Sequence, residues 1–126
     1  MIDKYTKHFI LLIVFIGLLA GISIVNTEKT QHKELILKAV LSNNIEVTRF
    51  LLDDGADINV KYKHNHTLLH SAALYGDMKM VMLLVNNGAK LIKNDFELTA
   101  IDSAEKNSEV KAYLVKNYDK LDKVVR

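Results

Sequence analysis

The hydrophobic pattern of the chain changes character along its length. Residues 9–25, FILLIVFIGLLAGISIV, carry no charge and no polar face, so they predict a helix that is apolar on every side. A run of about 17 residues at 1.5 Å each covers roughly 26 Å, the short end of what spans a ~30 Å hydrocarbon core. Lys4 and Lys7 precede it, and the polar stretch NTEKTQHK follows. Beyond residue 33 the apolar positions return at helical spacing: Val47, Phe50 and Leu51, then Met80, Leu83 and Leu84. Polar turns stand between the helical stretches, SNN at 42–44 and YGD at 75–77.

This second pattern repeats itself. Sliding residues 35–60 forward by 33 places Leu35 on Leu68, Ile36 on Leu69, Ala39 on Ala72, Phe50 on Leu83, and Gly55-Ala56 on Gly88-Ala89. A shorter third copy begins at Thr99, where TAIDSA matches TLLHSA of 67–72; EVKAYL at 109–114 matches KMVMLL at 79–84 with a smaller offset, so its turns have lost residues. Each copy predicts a short apolar helix, a polar turn, a second helix, and a glycine where that helix ends. Gly55 and Gly88 sit where a left-handed residue closes a helix, and Asn65 at a turn tip tolerates the same geometry.

With TLLHSA at Thr67–Ala72 and GADIN at Gly55–Asn59, the chain resembles the ankyrin repeat over about residues 33–117. Leu68 stands where the family has proline, Asp102 where it has histidine, and Gly88-Ala89-Lys90 lacks the aspartate. The resemblance implies an all-α solenoid of about three helix-turn-helix repeats with short hairpin loops, preceded by the N-terminal apolar helix. The expected organisation is a tail at 1–8, a transmembrane or signal-anchor helix at 9–25, a linker at 26–33 and a repeat domain at 34–126. Its repeats fall at 34–66, 67–98 and 99–117, with Tyr118, Leu121 and Val125 on one face of a C-terminal cap. Thr67, His70, Gly55, Gly88, Asp57, Asn59, Thr99 and Asp102 are expected to be structural. In the family a histidine placed as His70 is bonds the threonine at its helix start.

Composition narrows the chemistry. Apolar residues are 49% and charged residues 25%, an ordinary globular balance. A net charge of +2 with interleaved acids gives no ground for a nucleic-acid partner. The absence of cysteine removes disulfides, thiol nucleophiles and zinc-finger patterns. No phosphate loop or nucleophile elbow occurs, and Ser71 beside His70 on a helix cannot face it as nucleophile to base. His64, His66 and His70 form a metal site only if all three converge, and the first two read as exposed hairpin residues. The expectation is therefore no enzyme, no metal and no cofactor.

The resemblance implies protein binding through the hairpin tips and the exposed face of the first helices. The candidate partner-binding residues are Lys61, Tyr62, Lys63, His64, Leu74, Tyr75 and Phe96, and Asn94 belongs to the same second tip. Tyr62 occupies a position where the family often has aspartate, so it is expected at the surface, with little effect on stability when removed. The whole is expected to be a monomer apart from its partner: a single-pass protein of a bacterial inner membrane, held by residues 9–25, with its repeats in the periplasm. One version is an immunity or inhibitor protein for a toxic enzyme; another is an accessory factor for a periplasmic enzyme. The alternatives are a soluble periplasmic form after signal cleavage, a cytoplasm-facing adaptor, and a secreted effector that binds a host protein.

Overall fold

A computed structural model describes residues 3–75 and 77–124, with the side chains of 19–28 and 121–124 left out of the description. The described residues are helical or irregular, with no strand among them. Helix α1 runs Lys4–Leu41, α2 Ile45–Asp53, α3 Leu68–Tyr75, α4 Met78–Asn86, α5 Ala100–Ser103 and α6 Ser108–Val124. The chain divides into two compact units between His32 and Lys33. Residues 26–33, expected as a linker, are helical within α1.

In the first unit the described side chains other than His32 are exposed, including Phe9, Leu11, Leu12, Ile13, Phe15 and Leu18. Among the described residues no helix is long and apolar enough to cross a membrane. Residues 19–25 of the apolar run lie outside the described side chains.

The second unit stacks three helix pairs: the end of α1 with α2, α3 with α4, and α5 with α6. Their facing sides form one core, which contains Ile36, Leu51, Leu68, Leu69, Met80, Leu84, Val110 and Leu114. Alanines line the inner helices (Ala39, Ala72, Ala73, Ala100 and Ala104, all buried), and small side chains let helix axes approach closely.

The second helix of each pair starts on the same device. Asn44 Oδ1 accepts from the Val47 N–H at 3.1 Å, Asp77 Oδ1 from Met80 at 2.8 Å and Asn107 Oδ1 from Val110 at 3.1 Å. Each satisfies a backbone donor that the helix leaves unpaired. Gly55 and Gly88 end α2 and α4 at φ 93° and 87°. There the Ala56 N–H reaches back to the Leu51 carbonyl, and Ala89 to Leu84. That closure requires a left-handed residue, which glycine adopts without steric cost.

Tyr118, expected in a C-terminal cap, lies on α6, and its half-buried hydroxyl donates to the Ala89 carbonyl at 2.5 Å. Burial, and then the neighbouring Tyr113, push this phenol up to about 12. The side chains of Leu121 and Val125 lie outside the described residues.

Candidate protein-binding face

Two hairpins project from the stack, and their tips are fixed by backbone geometry. In the first, the Tyr62 N–H donates to the His66 carbonyl at 2.8 Å. His64 and Asn65 both adopt positive φ, 57° and 56°, as the primed turns of tight hairpins require. The second repeats the closure 32 residues on, with Asn94 N–H to the Leu98 carbonyl at 2.9 Å and Glu97 at φ 61°.

The tips are stitched to each other. The Asp95 N–H donates to the His64 carbonyl at 3.0 Å, and Asn65 Nδ2 to Asp95 Oδ1 at 2.5 Å. Nearer the base, Asn59 Oδ1 accepts from the Lys90 N–H at 2.7 Å, while Asp57 Oδ1 closes a local turn on the Asn59 N–H. These bonds order the loops without using the outward side chains. The His64 and Phe96 rings meet at 5.4 Å, and His64 Nδ1 stands 3.9 Å from Asp95. Lys61 and Lys63 flank them, exposed. Leu74 and Tyr75 are exposed at the end of α3, with no hydrogen bond or ring contact to the tips.

His70 is the polar centre of the scaffold. It is buried on α3, and its Nδ1 accepts from the Thr67 N–H at 3.2 Å. Nδ1 is therefore unprotonated, so the Thr67 hydroxyl, 2.8 Å away, also donates to it. The Nε2–H then donates to the Leu98 carbonyl in the following hairpin at 3.0 Å. Burial holds the His70 pKa below its usual value, and a charge on His66 would push it the same way; the Leu98 bond and Asp102 oppose the shift. In the last repeat Asp102 replaces the imidazole. Its Oδ2 accepts from the Thr99 N–H at 2.7 Å and hydroxyl at 2.9 Å, bonds that hold the carboxyl below the usual range.

Three placements differ from the sequence expectations. Tyr62 is not a free surface side chain. Its ring is partly buried against the core, its hydroxyl donates to the Lys33 carbonyl at 2.7 Å, and Lys33 Nζ lies 5.4 Å from the ring centroid. Burial, and then Asp57, raise its pKa well above the ordinary phenol value. Asn94 is not a tip contact. It is buried, with Oδ1 accepting from the N–H groups of Phe96 and Leu98, and Nδ2 donating to His66 Nε2 at 3.2 Å. His66 is accordingly only partly exposed, its ring 5.0 Å from that of His70. Among the described residues no group of three His, Cys, Asp or Glu is placed to hold a metal ion.

A family model described as ankyrin repeats, in three copies, matches residues 35–124. Among curated proteins, the serine/threonine-protein kinase TNNI3K of Mus musculus is 39% identical over 67 residues, covering 52% of this chain and 7% of the kinase. A putative ankyrin repeat protein of Fowlpox virus is 38% identical over 61 residues, 48% of this chain and 9% of the viral protein. A probable 26S proteasome regulatory subunit of Saccharomyces cerevisiae is 38% identical over 47 residues, 37% of this chain and 21% of the subunit. The chain thus spans a small fraction of the length of the relatives it matches.

Proposed function

The chain belongs to the ankyrin-repeat family, a protein-interaction fold, and from that premise we propose that it binds another protein through its hairpin tips and the outer end of α3. The observation that supports this most is the contrast within the tips. Their backbone is fixed by bonds between neighbouring hairpins, while Lys61, Lys63, His64 and Phe96 point outward. Leu74 and Tyr75 add exposed apolar area. Preordered aromatics beside cations suit an interface because little side-chain entropy is lost on docking. Photo-crosslinking from position 61 or 63 in living cells, followed by identification of the captured protein, tests the reading. Phe96→Ala and Tyr75→Ala are expected to abolish capture without lowering Tm; capture that survives both substitutions refutes this face.

The module is further proposed to be membrane-tethered. In support, described residues 9–18 are apolar and exposed on all sides, and the sequence stays uncharged to residue 25. Lys4 and Lys7 ahead of the apolar run support placing that side in the cytoplasm and the repeats in the periplasm. A periplasmic partner is then a resident enzyme or a delivered toxic one, which the chain would assist or inhibit. Protease added after permeabilising only the outer membrane is expected to remove a C-terminal tag. Survival of the tag until the inner membrane is broken makes the chain a cytoplasm-facing adaptor instead.

A further inference from the structure

Two imidazoles converge on one segment of backbone, residues 94–98 of the second hairpin. The His70 Nε2–H donates to the Leu98 carbonyl, which also accepts from the Asn94 N–H at 2.9 Å. His66 reaches the same segment through Asn94, whose Nδ2 lies 3.2 Å from His66 Nε2. The two rings stand 5.0 Å apart.

The state of His66 follows from Asn94. Asn94 Oδ1 accepts from the Phe96 N–H at 2.9 Å and the Leu98 N–H at 3.1 Å, which settles which end of the amide is oxygen. The amide nitrogen therefore faces His66, and His66 Nε2 must offer it a lone pair. Turning the amide over would set its own N–H groups against two backbone donors. A proton on His66 Nε2 sets donor against donor in the same way. Asn94 is only 4% exposed, so the amide has little water to turn to.

We propose that His66 and Asn94 form a proton-sensitive latch: neutral His66 holds the second hairpin tip in order, and protonated His66 releases Asn94 and with it the Phe96 and Leu98 N–H groups. His66 is the partly exposed imidazole of the pair, within reach of a proton from solvent. Its charge then opposes a second one on buried His70. The charged groups on the elements around the pair do not produce the same effect. His64, 3.9 Å from Asp95, gains an ion pair in acid and tightens the tip. Lys93 and Glu97 pair with each other, Asp102 is engaged by Thr99, and Lys63 is exposed on the first tip. That first tip is held differently, because Tyr62 stands in register with Asn94 and its hydroxyl closes on the Lys33 carbonyl. The latch rests on bonds within the tip and stands apart from the partner reading.

Amide exchange followed by NMR, on the full chain in mild detergent, tests the latch. Corrected for its intrinsic pH dependence, exchange at Phe96 and Leu98 should rise about five- to tenfold between about pH 7.5 and 5.5, the factor for one lost hydrogen bond over the range in which imidazole changes charge. Ala56 and Ala89, whose N–H groups close α2 and α4, should not follow. His66→Gln keeps an acceptor where Nε2 stands and does not titrate, so its exchange should stay slow at both ends of the range. Asn94→Asp offers a carboxylate oxygen to protonated His66 and should reverse the sign, with slower exchange in acid. Exchange at Phe96 and Leu98 that ignores pH in the unsubstituted chain, that rises as much in His66→Gln, or that rises together with Ala56 and Ala89 would each overturn the latch. So would an Asn94→Asp variant that responds as the unsubstituted chain does.

Discussion

Replacing His70 by leucine isolates the contribution of one buried imidazole. The two side chains are similar enough in size to fill the same space, so the loss is chiefly polar. Leucine leaves the Thr67 N–H and hydroxyl without their acceptor, in a residue that is itself buried, and takes the donor from the Leu98 carbonyl. At about 1–3 kcal/mol for each of the two buried unsatisfied groups, and about 1 kcal/mol for the bond to the partly wet carbonyl, the cost is about 3–7 kcal/mol. The unit from Lys33 onward is small, and 0.05–0.15 kcal/mol per residue gives it about 5–14 kcal/mol in total. The substitution thus removes a large share of the stability. Urea unfolding followed by circular dichroism should show the midpoint falling by at least about 1 M with the slope unchanged. A loss under about 1 kcal/mol would refute the assignment of His70 as the polar lock. A second readout separates the lock from simple packing. The His70 pKa is lower folded than unfolded, so the unfolded state binds more protons in acid. The stability that neutral His70 provides is complete above about 6.5, the unfolded value, and is lost as pH falls through it toward the folded value. The leucine variant should lose that part of the pH dependence.

Tyr62→Phe removes the hydroxyl that donates to Lys33 and should cost about 1 kcal/mol, read as a Tm lower by about 4–8 °C. Tyr62→Ala should cost more, because the partly buried ring is lost as well. Gly88→Ala meets nothing within 4 Å, so its expected penalty of about 1–2 kcal/mol comes from φ alone, and an unchanged urea midpoint would contradict that account. Asp102→Asn should flatten the acid limb of the stability profile. The carboxyl is depressed by its bonds to Thr99, so its contribution is present above the unfolded value of 3.8 and fades as pH drops through the folded one.

The helical pairs and their ends were legible because each rests on local chemistry that recurs in register. A glycine that must turn left at 55 and 88 and a threonine-histidine helix start at 67–70 announce themselves at fixed spacing. Tyr62 was misread because its role depends on a carbonyl 29 residues earlier, which only the stacking of repeats brings within reach. Asn94 left a weak local signal, since asparagine often bonds the backbone two residues on, as it does to Phe96. Nothing local announced its second bond, to His66. The polar stretch at 26–33 looked like a break because polarity alone does not interrupt a helix that lacks glycine and proline there. The outward residues at the tips follow no period, so the sequence located the tips and left their partner open.

His70 and Asp102 do the same work toward their own threonines, yet only the imidazole has a second, donating nitrogen to send onward. A carboxylate has nothing to give a carbonyl. The lock that joins α3 to the next hairpin therefore has a direction. Residues 67–98 hold both the donor and the acceptor of this lock, so a tandem copy of that stretch would bring its own closure with it. A copy of the repeat that carries Asp102 would bring the helix start without the lock.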